Sequence, residues 1–429
     1  MAWFDSPRSA LFADKLIVED RSPISTINVP PFLGGGTYGV LPPKLAFWTD
    51  LTILLASQMV LCGLFAIVVY RCIVCKQQGP AGPDVSSYII GFGFVIPAAL
   101  CIPFYLLAAL DLQSMTLSMA LICLPILVTF RCLEAMFGFT PHSAGKSMKN
   151  YVVYYSSMMA TVYDNETGEP VKATLADILS RIQHFASLFV ALSTMFSISL
   201  PFDFAPFATR LDAHSIDHGL MDIIHPAHLM NNFIAALLVS VSLSFSTLGA
   251  SLLFNFSTGI MTRKVVHNPM FASKTPGEFW GRRWNNLVHS VLKTGIYKPT
   301  RRIIASPNVA VVATFLASGL IHEYVWAILF YVHEHQKDPA TGVCSTCFEP
   351  KYGKNLFFFS WNGVVIALES VVGGWWLFQW MKHNLPGPVV TALVVMTALP
   401  FGHLFTGDWI AGGYFTHFQL GFPIVVKLR

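Results

Sequence analysis

Apolar residues run along this chain in blocks too long and continuous for a soluble fold. Clear blocks cover about Trp48 to Tyr70, Tyr88 to Ala109, Met115 to Phe130, Ile182 to Leu200 and Leu229 to Phe254. Others cover Asn308 to Val332, Leu356 to Trp380 and Pro388 to Phe405, and a last apolar piece, Trp409 to Val426, is broken by Gly412 and Gly413. A bilayer core is crossed by about 20 apolar residues in a helix, so the pattern predicts eight or nine spans. Helices satisfy every backbone group within one segment in lipid. A barrel would instead show alternating segments of about 10 residues. The predicted fold class is an all-α polytopic membrane protein. Pro97 and Pro103 predict kinks in the second block, and the Ser, Ala and Gly of the fifth suit close helix packing.

Polar stretches divide these blocks. Residues 1–46 hold Pro30, Pro31, Gly34, Gly35, Gly36, Pro42 and Pro43, which predict a mobile polar or interfacial arm. Its opening, MAWFDSPRSALFADK, has acids and no early apolar core, so no signal peptide is expected. Residues 47–429 are expected to form a single transmembrane domain. Residues 132–180 mix aromatics and charges and contain the formal glycosylation sequon Asn165-Glu166-Thr167, expected to go unused in a cytoplasmic loop. Asp212, His214, Asp217, His218, Asp222, His225 and His228 form a polar cluster whose spacings match no metal motif. A solvated loop is expected there.

Composition strengthens the membrane reading. Of 429 residues, 54% are hydrophobic and only 12% charged, about half the share of an ordinary soluble domain. The net charge of +4 is concentrated locally. Arg263, Lys264, Lys274, Arg282, Arg283, Lys293, Lys298, Arg301 and Arg302 face one acid, Glu278. Basic loops mark the cytoplasmic side, and alternation then puts residues 132–180 in the cytoplasm and both 333–355 and the N-terminus in the lumen. The same charge suits an anionic, phosphate-bearing ligand. Nucleic acid is not expected, because the aromatics here flank a membrane. Of the eight cysteines, Cys62, Cys101 and Cys123 fall in apolar runs. Cys72 with Cys75 and Cys344 with Cys347 are predicted on opposite sides, which argues against a shared zinc site. A disulfide suits Cys344 and Cys347 if their loop is lumenal.

The block Asn308 to Val332 carries His322 and Glu323, and an ionisable residue within a span is a functional candidate by default. One turn away lie Ser318, Gly319, Val325 and Trp326, so small residues let a helix or substrate chain approach His322. A histidine in such a pocket can act as a general base toward an alcohol, or can simply be a satisfied core residue. Glu323 points about 100° away and is expected mainly to hold the helix. His333, Glu334 and His335 look like an interfacial cap. His403, followed by Asp408, and His417 are the other embedded histidines. Upstream, Ser273, Thr275 and Pro276 signal a helix start with Glu278 in its first turn. Phe279, Trp280 and Trp284 read as membrane-interface anchors beside Arg282 and Arg283. Asn285 and Asn286 offer amides that could bond an oxygen or orient a base.

Phe279-Trp280-Gly281-Arg282-Arg283-Trp284-Asn285 followed by Ser318-Gly319-Leu320-Ile321-His322-Glu323 resembles the signature of the membrane-bound O-acyltransferases, in the form found in wax synthases. The step from Asn285 to His322, 37 positions, is similar to that in diacylglycerol and sterol acyltransferases, whose first motif differs. The likeness covers about residues 265–330. It implies transfer of an acyl group from acyl-CoA to a lipid hydroxyl, with a long-chain alcohol as the leading acceptor and diacylglycerol, sterol or terpenoid as alternatives. In that reading His322 is the general base and Asn285 polarises or positions the reacting group. Arg282, Arg283, Lys274 and Trp284 hold acyl-CoA, while Glu323, Trp280 and Ser318 support the site. No metal or cofactor is expected beyond acyl-CoA as co-substrate. The resemblance implies a multi-pass protein of the endoplasmic reticulum membrane and allows a homodimer. A proton-coupled transporter using His322 and Glu323 is the competing class, but it predicts paired halves with interrupted helices, which the hydropathy lacks.

Overall fold

The computed structural model describes residues 21–30, 35–77, 85–157, 159–164, 166–207 and 219–428. Asn165 of the sequon and Asp212, His214, Asp217 and His218 of the polar cluster lie outside the described residues. Among the described residues, eight helical segments are long and apolar enough to cross a membrane. They are Leu45–Val74, Val85–Leu110, Met115–Met136, Leu175–Phe202, Pro226–Thr258, Pro307–Leu329, Lys354–Val372 and Gly387–Ala411, called here the first to eighth spans.

Local chemistry explains where several begin. Thr174 and Asp177 form a reciprocal capping box at the fourth span. Ser306 caps the sixth, accepting from the Val309 amide, with Pro307 in the first helical position. The fifth ends at Gly259, whose φ of 68° suits glycine. In the second, a wide π-helical stretch, Gly91–Val95, precedes Pro103. Such a stretch is a recognised way to bend a helix.

The spans differ in what covers them. In the third, 72% of the most apolar window is buried against protein, compared with 17% in the fourth and 28% in the first, fifth, sixth and seventh. The third is therefore the central post, and the others turn bare apolar faces outward. Val60, Phe92, Val190 and Leu253 are exposed on those faces, which is stable only against lipid. The third span runs past its expected end near Phe130 to Met136, with Arg131 and Glu134 both buried. Tyr154 donates its hydroxyl to Glu134 at 2.5 Å, and the Arg131 guanidinium lies 3.7 Å from the Tyr154 ring centroid. Tyr154 thus gives both buried charges a polar or aromatic partner, which offsets part of the cost of burying them.

Two sequence expectations are corrected at the C-terminal end. The seventh span stops at Val372, and a separate short helix, Trp376–Asn384, exposes Trp375, Trp376 and Trp380, as expected of an interfacial belt. The last apolar piece is not a span. It folds into two short helical turns and a strand, β3 (Ile424–Lys427). β3 joins β1 (Ser25–Val29) and β2 (Gly36–Leu41) in an antiparallel sheet of order β1-β2-β3, with Leu41 opposite Ile424. The described part of the arm is therefore a hairpin docked on the C-terminus, with Arg21 buried against the Pro42 and Phe422 carbonyls. Eight spans bring both ends to one face, as that pairing requires.

Candidate active site

Among the described residues, the sixth and seventh spans share the most extensive helix–helix contact. A Cβ added at Gly319 would lie 2.8 Å from Leu356 Cα, and one at Gly363 would lie 2.8 Å from Phe315 Cβ. Small residues thus bring the backbones together, as is common between membrane helices. Glu323 supports this junction. Its Oε1 accepts from the Leu356 amide at 3.0 Å, in the first turn of the seventh span, where an acid meets unpaired amides and the positive end of the helix dipole.

The seventh span also grips the motif segment. Glu369 Oε2 accepts from the Gly277 amide at 2.7 Å, and Trp280 Nε1 donates to Asn362 Oδ1 at 3.0 Å. After a single turn at Pro276–Glu278, Phe279–Trp284 forms one wide π-helical turn, a form frequent at functional sites. Asn285 leaves the helix (φ −152°, ψ 88°) and caps the next one, Asn286–Leu292, its Oδ1 accepting from the Val288 amide at 3.1 Å.

Between these pieces lies a cavity of about 440 Å³. His322 and Asn285, 37 positions apart, both line it, together with Trp280, Trp284 and Ser318. Its remaining walls are mostly apolar, including Phe315, Phe359, Leu292 and Ile366. Trp280 and Trp284 are therefore cavity walls rather than lipid anchors, and Phe279 is buried and stacked on Trp284.

The His322 ring is oriented from three sides. It stacks on Phe359 with centroids 4.2 Å apart and meets Phe405 edge-on at 5.2 Å. Nδ1 lies 2.7 Å from the Ser318 carbonyl oxygen. A carbonyl only accepts, so Nδ1 carries the hydrogen and the lone pair of the uncharged ring is on Nε2. The Ser318 contribution is thus its backbone.

The expected acyl-CoA cations are placed unequally. Arg283 does not line the cavity. It bonds Glu278 through Nε and Nη2, at 2.7 and 2.6 Å, and the His267 carbonyl through Nη1. Arg282 and Lys274 are exposed and also lie outside the lining. Lys293, counted in the sequence only as loop charge, does line it, as do His289, Thr314 and Tyr297. His289 was missed, although it sits one helical turn after Asn285. Burial, then Lys293 and Arg282, hold the His289 imidazole below its ordinary range. At Glu278, burial opposes ionisation, but the Lys274 amide and the Arg283 guanidinium outweigh it and lower the carboxyl below its ordinary value.

The other embedded histidines stand apart. His403 packs against the His228 ring with centroids 4.8 Å apart, and Asp408 pairs with Lys354 Nζ at 2.8 Å. His417 is not part of the cavity lining. Cys344 and Cys347 form a disulfide, while Cys72 and Cys75 are free thiols.

Comparison with known proteins bears on the same segment. Residues 263–344 match the model of the membrane bound O-acyl transferase family. A probable long-chain-alcohol O-fatty-acyltransferase 1 of Arabidopsis thaliana is 32% identical over 152 residues, covering 34% of this chain and 37% of that protein. The long-chain-alcohol O-fatty-acyltransferase of Simmondsia chinensis is 25% identical over 203 residues, 46% of this chain and 47% of its own. An acyl-CoA–sterol O-acyltransferase 1 of Arabidopsis thaliana is 29% identical over 142 residues, 31% of this chain and 35% of that protein. The chain thus spans less than half the length of these relatives.

Proposed function

We propose that the chain is a membrane-bound O-acyltransferase of the wax synthase-like branch, to which its matched segment and relatives are similar, and that it esterifies a lipid alcohol with the acyl group of acyl-CoA. One observation carries the reading: His322 and Asn285 line one largely apolar cavity, with the His322 tautomer set by a carbonyl that can only accept.

In the proposed reaction, His322 Nε2 takes the proton of the alcohol as its oxygen attacks the thioester carbonyl. The carbonyl oxygen becomes an oxyanion, and the Asn285 amide NH₂ donates to it. Asn285 Oδ1 is already engaged with Val288, so the nitrogen end is the one available for this electrostatic task. Collapse breaks the carbon–sulfur bond. The histidinium returns its proton to the leaving thiolate, giving ester and free CoA. A thioester is activated already, so the step needs no metal or cofactor. Lys293 in the wall, with Arg282 and Lys274 on the exposed polar segment, supplies positive charge for the CoA phosphates. Arg283 is assigned to Glu278 instead.

A long-chain alcohol is the acceptor proposed, since the relatives include long-chain-alcohol enzymes and the cavity walls are apolar. The basic face is assigned to the cytoplasm, where acyl-CoA is found, and the membrane to the endoplasmic reticulum. The cavity is built from one chain, so the reading needs no second copy.

The test uses purified protein in detergent with labelled acyl-CoA and a mixture of fatty alcohol, diacylglycerol and sterol. Label is expected in the wax ester, and His322→Gln is expected to lower the rate at least about 10²-fold. Unchanged turnover in His322→Gln removes the general-base assignment. Label in a sterol ester or triacylglycerol moves the acceptor, and no ester from any acceptor overturns the reading.

A further inference from the structure

Three side chains that the proposed reaction does not use converge at the opposite end of the bundle from the basic segment. The second span ends at Leu110, and Asp111 follows in the left-handed region with φ 49°. The sixth span, which carries His322, ends at Leu329, and His333 and His335 lie just beyond it. His333 is buried, while Asp111 and His335 are about half exposed. His333 Nδ1 lies 3.3 Å from Asp111 Oδ1, and His335 Nδ1 lies 3.7 Å from the same oxygen. One ligand atom from each of the three residues falls within 4.8 Å of the others.

The arrangement of His333 is specific. Its Nε2 lies 3.0 Å from the Leu112 carbonyl oxygen, which can only accept, so Nε2 carries the hydrogen. In the uncharged ring, Nδ1 then turns a lone pair toward a carboxylate oxygen, and two acceptors in contact need a proton or a cation between them. The backbone carbonyl behind the ring is the outer partner that metal-binding histidines usually have. Donors of a tetrahedral zinc ion, each about 2.0–2.1 Å from the metal, lie about 3.4 Å apart. The two separations from Asp111 Oδ1 bracket that spacing.

We infer that Asp111, His333 and His335 form a divalent metal site of the zinc type, clamping the end of the catalytic span to the end of the second. Two imidazoles and one carboxylate suit zinc, with water completing the tetrahedron, whereas calcium and magnesium favour oxygen donors throughout. The Gln113 amide, whose nitrogen lies 3.4 Å from His335 Nε2, has to present its oxygen there, an end-for-end turn that leaves its shape unchanged. The clamp adds to a direct tie between the same spans, the Tyr324 hydroxyl donating to the Leu100 carbonyl at 2.8 Å. The site departs from the sequence expectation of no metal. It does not depend on the acyl-transfer reading.

The test uses the untagged full chain in detergent, stripped with a chelator and titrated with zinc chloride, magnesium chloride or calcium chloride. After desalting, metal analysis is expected to give one more equivalent of zinc in the native protein than in Asp111→Asn or His335→Asn. Zinc, but not magnesium or calcium, is expected to raise the thermal midpoint of the native protein by at least about 3 °C. Both variants change half-exposed side chains, and size-exclusion chromatography checks that they fold. Cobalt(II) supplies a second readout, because visible bands of a four-coordinate ion are expected in the native protein alone. Equal zinc content in native and variant proteins, or no zinc-specific rise in midpoint, overturns the proposal and leaves a histidine–aspartate ion pair only.

Discussion

The two ends of the Asn285 amide have different tasks, and they can be separated. Its oxygen caps Asn286–Leu292, and its nitrogen is the proposed oxyanion donor. Asn285→Asp keeps the cap and loses the donor. Its rate is expected to fall about 10²–10³-fold with a thermal midpoint near that of the native protein. Asn285→Ala loses both, so the same fall in rate comes with about 1 kcal/mol of lost stability. Equal midpoints for the two variants would show that the cap contributes nothing. Glu278 gives a prediction in pH. Its carboxyl is lowered in the folded protein from an ordinary value of 4.5, so the stabilisation it adds is fully present above that value. It is lost as pH falls through the lowered one. Glu278→Gln is expected to cost about 1 kcal/mol at pH 7 and to have a midpoint that changes less than the native protein's as pH falls from 5 to 3. Parallel curves would place the linkage elsewhere. His322 and Asn285 were legible as residue types in context, but the Ser318 carbonyl was not, because a backbone partner leaves no mark in composition. His289 carried only a weak signal, its place one helical turn after Asn285.

At the scale of elements, the junction of the sixth and seventh spans controls the cavity, since both contribute to its wall and the seventh holds the motif through Asn362 and Glu369. Gly319→Ala would bring a Cβ within 2.8 Å of the Leu356 backbone, which the neighbour cannot avoid without moving the helix. The variant is expected to lose about 1–3 kcal/mol and to lose activity beyond that, because parting the spans displaces Phe359 from His322. Full activity at a native midpoint would mean that the helices shift freely. The small residues beside His322 signalled close approach in the sequence. The identity of the approaching helix was not readable, since Asn355, Leu356 and Gly363 carry nothing that marks them as partners of Gly319 and Phe315. Phe279, Trp280 and Trp284 read in the sequence as membrane-interface anchors. They lie instead on a π turn, with Trp280 and Trp284 lining the cavity.

For the whole molecule, the Lys354–Asp408 pair joins the start of the seventh span to the end of the eighth, with both side chains almost fully buried. Asp408→Asn alone removes the anionic partner of the buried Lys354 ammonium and is expected to lower stability by about 3–5 kcal/mol. The double variant Lys354→Met, Asp408→Leu is expected to be milder, because it removes both charges. A double variant worse than the single would mean that the pair does more than cancel charge. Such a pair could not be found by scanning, since its members are 54 positions apart and each reads as an ordinary flank of a span.

The sequence by itself determined that the chain spans a membrane and where most of the spans lie, because crossing lipid demands an unbroken apolar length and that length is a local property. It also determined the two motifs, because their residue types and spacing are written contiguously. Tertiary structure decided which polar groups meet. The cavity shared by His322 and Asn285, the assignment of Arg283 to Glu278, the convergence of Asp111 with His333 and His335, and the strand that ties Leu41 to Ile424 all depend on helices packing side by side. Packing responds to shape across the whole bundle, and hydropathy along one chain does not encode it.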